Sequence, residues 1–276
     1  MGGFADEVDA IKFELTRLAS RKTSLTKTTH DRIREFEIDL YSVLLDNYRN
    51  SKSTFRDILE SHYSDYYRPY FDGSAWKTGK YRQVQSAYFE RIVHLLAEFS
   101  ESIPDILEIG AGSGELARFL SSKFNDTPIL CGDKMPSSVT LINEIAGREG
   151  GNVRSKFIDI DDPETTLFKN KFVVSSYVLM YLGLSNSCFF ETLLQSEPLG
   201  GLFLEPIFDD IDSSNQFAAE RKNYYEDNSY NKEWYSQFCS LIIKQGNYKI
   251  IYRKPFFFAH NSLLPITAIL WKKTNS

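Results

Sequence analysis

The residues of this 276-residue chain whose types and spacing can do chemistry begin with three glycines. In Glu108-Ile109-Gly110-Ala111-Gly112-Ser113-Gly114 a glycine recurs at every second position. Such a run accepts positive φ and lets a ligand lie against bare backbone. Two acids follow it. Asp133 comes 19 positions after Gly114, and Asp159 stands in Asp159-Ile160-Asp161. A carboxylate at a strand end beside a glycine turn can bond a ribose diol through both oxygens. Further on, Glu205, Asp209, Asp210 and His260 are the groups able to take a proton from a second substrate. Two readings stand for each of the main candidates. Glu205 is a general base or the anchor of a backbone turn before Pro206; His260 is a base or a hydrogen-bonded loop histidine. Asp209, Asp210 and Asp212 read as a solvated acidic loop, because no histidine lies close to them in sequence, and no metal site is expected.

The elements that must position these groups alternate from residue 105 onward. Apolar runs at Ile106–Ile109, Pro128–Asp133, Val153–Ile160, Lys171–Ser176 and Gly201–Pro206 read as strands. Helical patterns at 115–124 and 137–146 separate the first three. Strands alternating with helices imply a parallel sheet covered on both faces. Tyr248–Arg253 and Pro265–Trp271 read as a closing β-hairpin. The glycine run then sits at the carboxyl end of a first parallel strand, where open α/β sheets bind ligands.

Before the sheet, Val8, Ile11, Leu15 and Leu18, then Ile33, Phe36, Leu40 and Leu44, recur at helical spacing. Each set predicts one apolar stripe. Ser24–Thr29 predicts a break, with Thr29 as N-cap of the second helix. These helices read as an accessory layer on the core or as a dimerising hairpin that would make a homodimer. Residues 62–83 look loop-like, and a helix is expected from Val84 to Phe99. The division is therefore a helical accessory or lid region over 1–100 and a ligand-binding core over 101–276.

Glycine spacing narrows the ligand. A dinucleotide turn puts its third glycine three positions after the second; here Gly114 follows Gly112 by two. The run resembles the E-x-G-x-G-x-G motif of class I S-adenosylmethionine (SAM)-dependent methyltransferases. That resemblance covers roughly residues 104–274 and implies a fold: α/β, a Rossmann-like seven-stranded, mostly parallel sheet whose last strand is antiparallel, with an N-terminal helical extension. It also implies a cofactor, SAM, with S-adenosyl-L-homocysteine (SAH) as product. By the resemblance, Glu108, Gly110, Ala111, Gly112 and Gly114 would meet the methionine and ribose end. Asp133 with Lys134 would serve the ribose, Asp159 and Ile160 the adenine, and Ser176 would line the methyl-transfer site.

A second resemblance concerns the acceptor. Trp76 and Gly79-Lys-Tyr-Arg-Gln-Val-Gln-Ser-Ala-Tyr, followed by the glycine run, are similar to bacterial sugar O-methyltransferases of polysaccharide gene clusters. It implies that Tyr81, Arg82 and Gln85 cap the cofactor pocket, with Arg82 pairing the methionine carboxylate. Lys222–Tyr235, rich in Tyr and Asn, reads as an acceptor wall suited to a sugar or as an ordinary amphipathic helix with its rings turned inward. The expected activity is metal-independent O-methylation of a sugar or polysaccharide precursor, by base-assisted in-line displacement. The alternatives are a methyltransferase for another small molecule, with an oxygen or nitrogen acceptor, and a non-catalytic scaffold of the same fold.

Bulk composition excludes other classes. Net charge is −5 and no basic arm exists. Nucleic-acid binding by counterion release needs a concentrated positive face, so no nucleic-acid partner is expected. No apolar run reaches the ~18 residues of a membrane span. Cys131, Cys188 and Cys239 are far apart, which argues against disulfides or structural zinc. With no signal peptide at Met1, the expected compartment is the cytoplasm.

Overall fold

A computed structural model of the chain describes residues 6–20, 29–99, 105–183 and 188–274. Its core is one seven-stranded sheet. In chain order the strands are β3 (Ile106–Ile109), β4 (Ile129–Asp133), β5 (Val153–Phe157), β6 (Phe172–Ser176), β7 (Gly200–Glu205), β8 (Tyr248–Phe258) and β9 (Ile266–Lys273). Across the sheet they run β5-β4-β3-β6-β7-β9-β8. β5, β4, β3, β6 and β7 run parallel to one another. β9 alone runs against both of its neighbours, β7 and β8. The expected mostly parallel sheet with an antiparallel last strand is what forms.

Burial explains which runs become strands. Every residue of β3 and of β7 is buried, as expected where helices cover both faces. The helices are α6 (Glu115–Lys123), α7 (Pro136–Glu149), α8 (Cys188–Gln195), α9 (Ala218–Asp227) and α10 (Trp234–Gln245). Pro136 at the start of α7 gives up an amide that no helical bond needs. Gly246, left-handed at φ +70°, ends α10. The chain lays down β3, β4 and β5 in one direction, then returns to place β6 on the other side of β3. The crevice above the carboxyl ends of β3 and β6 is thus the topological switch point, where such sheets hold ligands.

Ahead of the sheet lie α1 (Glu7–Ser20), α2 (Thr29–Ile33), a π-helical stretch (Arg34–Ser42), α3 (Val43–Asn50) and α4 (Phe55–His62). Two expectations change here. α1 does not bury the stripe that its apolar spacing predicts: Ala10, Ile11 and Glu14 are buried, while Leu15 is 40% exposed. The helix is turned by polar partners, since Arg221 bonds Glu7 at 2.6 Å and the Ser262 hydroxyl bonds the Ala10 carbonyl at 2.9 Å. The second predicted helix is divided by the π-helical stretch, in which the Ser42 hydroxyl reaches back five residues to the Glu37 carbonyl at 2.6 Å. The predicted break over 24–29 lies outside the described residues up to residue 28, and Thr29, expected as the N-cap, is the first residue of α2. α4 starts on a capping box, with the Thr54 and Asp57 side chains each accepting the other's amide.

The region read as loop-like holds an antiparallel pair, β1 (Tyr67–Phe71) and β2 (Trp76–Lys80). Phe71 also bridges Ala259 beyond β8, through two 3.0 Å backbone bonds. The following helix, α5 (Tyr81–Phe99), begins three residues before the expected Val84. Residues 158–160 leave the sheet after β5, and the Ile158 amide bonds the Asp133 carbonyl at 3.0 Å.

Candidate active site

The glycine run forms the turn between β3 and α6. Gly110, Gly112 and Gly114 take φ of +64°, +56° and +74°, a region that costs any residue with a Cβ. Space is short as well. A Cβ at Gly110 would enter the Val178 side chain, one at Gly112 would stand 2.8 Å from the Tyr41 hydroxyl, and one at Gly114 would stand 2.8 Å from Ile142. Between them, Ala111 donates to the Gly132 carbonyl at 3.0 Å and accepts from the Gly114 amide at 2.8 Å.

Asp133, at the end of β4, is wired to this turn. One carboxylate oxygen accepts the Gly112 amide and the other the Met135 amide, both at 2.8 Å. A carboxylate oxygen has more than one lone pair, so Asp133 can accept further hydrogen bonds. Burial pushes its pKa up to about 6, against the pull of the Met135 and Gly112 amides. Glu108, beneath the turn on β3, is pushed by burial to about 8, and its Oε2 has no partner.

A tyrosine group closes over the turn. Tyr41 lies on the π-helical stretch, and burial, with Asp133 and Tyr63 next in effect, raises its pKa well above normal. Tyr63 stacks on Tyr81 at 4.1 Å between centroids, and the Tyr81 hydroxyl bonds Glu115, the first residue of α6. Glu37 fastens the same stretch by accepting the Ser137 amide with both oxygens at 3.1 Å and the Ser137 hydroxyl at 2.6 Å. Sequence reasoning missed Glu37 and Tyr41, which lie in a stripe otherwise readable as helix packing.

The remaining expected cofactor residues divide. Lys134 bridges Asp159 at 2.8 Å and Asp161 at 3.1 Å, beside Ile160. The second Asp159 oxygen accepts the Asp161 amide at 3.0 Å. Ser176, ending β6, pairs with the Tyr88 hydroxyl at 2.6 Å. Tyr81 joins the turn through Glu115. Arg82, one residue later, is held by Glu60 at 2.7 Å and faces a cavity of about 340 Å³ between α4, α5 and α6, together with Gln85, Phe89 and Arg118.

Glu205 and His260 lie at the same sheet edge in different settings. Glu205, wholly buried at the end of β7, accepts the Val178 amide with both oxygens, and burial pushes it up to about 8. His260 follows β8. Its ring stands edge-on to Tyr88 at 4.6 Å and to Tyr177 at 5.6 Å, and lies 4.9 Å from Phe258. Burial alone pulls it down to about 3, and its Nε2 has no partner. This neutral imidazole offers a lone pair to a hydroxyl brought against it. Tyr177 holds φ +57°, rare for an aromatic residue and common at functional sites.

The aromatic stretch after β7 packs largely inward, as the amphipathic-helix reading expects. Tyr225 and Trp234 turn inward and donate to the Pro206 carbonyl at 3.3 and 3.0 Å. Tyr230 is buried in the same cluster, with Tyr224 packed on it; it stands 5.4 Å from Tyr181, and the Arg32 guanidinium lies over the Tyr230 and Tyr181 rings at 5.0 and 4.7 Å. The acidic loop is engaged by protein groups: Asp210 binds Arg253 and Thr267, and Asp212 caps its own turn through Ser214.

This fold is similar to known structures. Geranyl diphosphate methyltransferase, solved with GPP and sinefungin, superposes with a TM-score of 0.50 at 13% identity over 71% of this chain and 80% of that one. The (4+2)-cyclase SpnF superposes at 0.50 and 11% identity, over 69% and 81%. A protein of Galdieria sulphuraria assigned as a sarcosine dimethylglycine methyltransferase matches at 17% identity and 0.47; 63% of this chain aligns to 66% of that chain, just under two thirds of its length. No family model and no curated protein matches the chain. The shared feature is the class I methyltransferase fold, which in these neighbours carries different substrates and, in SpnF, a different reaction.

Proposed function

We propose that this chain is a SAM-dependent O-methyltransferase acting on a hydroxyl of a sugar or polysaccharide precursor. The observation that carries the reading is the link from Asp133 to the Gly112 amide at the switch point of the sheet, with the neutral His260 at the same edge. The residues fit the cofactor. Three left-handed glycines make the tight turn, Asp133 sets a carboxylate beside it, and Glu108 holds a buried oxygen behind it that has no partner among the described residues. Asp159 and Ile160 would meet the adenine, and Ser176 and Tyr177 would line the reacting end.

SAM, when bound, supplies a methyl group on a sulfonium open to in-line displacement by oxygen. The chain's part is to hold the acceptor hydroxyl in line, exclude water and take its proton. His260 Nε2 is the acceptor for that proton, since it has no hydrogen-bond partner among the described residues and stands beside the Tyr88 and Tyr177 rings. Glu205 acts as a positioning residue, because both its oxygens already hold the Val178 amide. The ring-rich walls, with tyrosine hydroxyls between them, suit a sugar, which has one apolar face and a rim of hydroxyls.

Calorimetry with SAH, followed by transfer from labelled SAM to a panel of glycosides and amines, tests the reading. Binding of SAH and labelling of a glycoside are expected. Labelling of amines alone would assign the chain to another small-molecule acceptor. A folded protein that binds no SAH would leave the scaffold reading.

A further inference from the structure

Three helix faces converge on a space that none of them fills. Residues three and four apart lie on one side of a helix. By that spacing α4 turns Phe55, Arg56 and Leu59 to one side, α5 turns Arg82, Ser86 and Phe89, and α6 turns Arg118 and Phe119. Each helix thus brings a phenylalanine and an arginine to the cavity of about 340 Å³ between them. That is the size of a small-molecule pocket, and an apolar lining with a few placed polar groups is the make-up of one.

The walls are fixed from outside. Glu149 of α7 accepts the Phe55 amide and Arg118 Nη2, both at 2.6 Å, and so joins the start of α4 to α6. The Phe89 and Phe119 rings pack at 5.4 Å between centroids. The lining holds neither Asp133 nor His260, and Tyr88, next to Phe89 on α5, meets Ser176 instead. The cavity is therefore separate from the crevice at the strand ends.

Charge favours one kind of occupant. Three guanidiniums share the lining with two carboxylates, Glu60 and Glu115. Glu115 is engaged by the Tyr81 hydroxyl and by the Ser113 hydroxyl at 3.3 Å. Glu60 takes Arg82 at 2.7 Å and Arg56 at 3.7 Å on a single oxygen. A guanidinium has five N–H donors. Arg82 gives Nη1 to Glu60 and Arg118 gives Nη2 to Glu149, so both can still donate to an anion. In a chain of net charge −5 this grouping runs against the average.

We propose that the cavity binds a small anionic amphiphile, whose ring or short alkyl chain packs on Phe55, Phe89 and Phe119 and whose carboxylate or phosphate head is held by Arg82 and Arg118.

Calorimetry on the full chain tests this with octanoate and octyl phosphate, below their micellar range, against octanamide as the neutral counterpart. At least one anion is expected to bind about fivefold or more tighter than octanamide, roughly one charge-assisted hydrogen bond, and the tighter of the two names the head group. Ser86→Trp sets a ring into the cavity from an exposed helix position. It should cut anion binding about tenfold or more at an unchanged unfolding temperature. Arg82→Gln should bring the anion down to the octanamide level. Binding of neither anion overturns the proposal. Octanamide binding as tight as that of both anions, or anion affinity kept within twofold by Arg82→Gln, overturns the charged head. Anion binding untouched by Ser86→Trp places the probe elsewhere and overturns the site. Displacement of the anion by SAH overturns it as well, because the cavity would then be the methionine end of the cofactor pocket.

Discussion

Both oxygens of the Glu205 carboxylate accept the amide of Val178, at 3.0 and 2.8 Å, in the wholly buried end of β7. Val178 is also the side chain that a Cβ at Gly110 would strike. One acid thus sets the wall against which the glycine turn is built. Glu205→Ala would leave the Val178 amide unpaired beside a cavity, and is expected to lower stability by about 2–4 kcal/mol. A urea titration reads this, together with weaker SAH binding by calorimetry. Unchanged stability with loss of turnover alone would return Glu205 to the role of base.

Stability should fall as pH rises from 6.5 to 8. Burial raises Glu108 and Glu205 to about 8, so in this window the folded chain holds protons that the unfolded chain has released. Their contribution is complete below the ordinary carboxylate range and is lost as pH passes through 8, at about 1.4 kcal/mol per group per pH unit. His260, pulled down to about 3, acts in the opposite sense, but only below its unfolded value near 6.5. Thermal unfolding of the apo protein at pH 6.5, 7.25 and 8 checks the slope, and Glu205→Gln should make it shallower. A rise in unfolding temperature over that window would contradict the assignment.

SAH affinity should weaken below pH 6 through Asp133. Its pKa of about 6 means that acid protonates the carboxyl meant to receive two hydroxyls. Asp133→Asn should reduce affinity about tenfold at pH 7.5, roughly one lost charge-assisted hydrogen bond, and should flatten the pH dependence. Calorimetry from pH 5 to 8 reads both effects. Equal affinity at pH 5 and 7.5 in the wild type would remove Asp133 from the ribose.

Gly112 and Tyr41 should show coupled energetics. Gly112→Ala incurs the left-handed φ of +56° and a hydroxyl 2.8 Å from the new Cβ. The backbone part costs about 1–2 kcal/mol. Tyr41→Phe removes the hydroxyl but leaves φ unchanged, so the double variant should be more stable than the sum of the single effects predicts, by about 0.5 kcal/mol or more. Denaturant titration of the four proteins closes this cycle, and strict additivity would mean that Tyr41 yields freely.

The sheet was legible because its strands are either continuous apolar runs, as in β3 and β7, or follow a turn that only glycine can make. The hairpin of β1 and β2 was not. Arg68, Lys77 and Lys80 give it the polarity of a loop, and its bridge to Ala259 depends on a strand nearly two hundred residues away. Within the site, Gly110, Gly112 and Asp133 were readable as a local pattern. Glu37 and Tyr41 were not, because they meet Ser137 and the Gly112 turn only when the stretch before α3 packs against the start of α7. Arg82 was legible as a cation near the turn, yet its neighbour Glu60 holds it toward the 340 Å³ cavity.

The clasp between Ala10 and Ser262 joins residues 252 positions apart, and that between Glu7 and Arg221 spans 214. Both bonds need residues of α9 or of the β8–β9 hairpin in place, so α1 is among the last elements to gain its contacts. Such long-range closure is slow, and until it is made a nascent chain keeps the partly apolar face of that helix uncovered for chaperones or self-association. Assembly therefore runs from the sheet outward, and it ends with α1 fastened onto the β8–β9 hairpin.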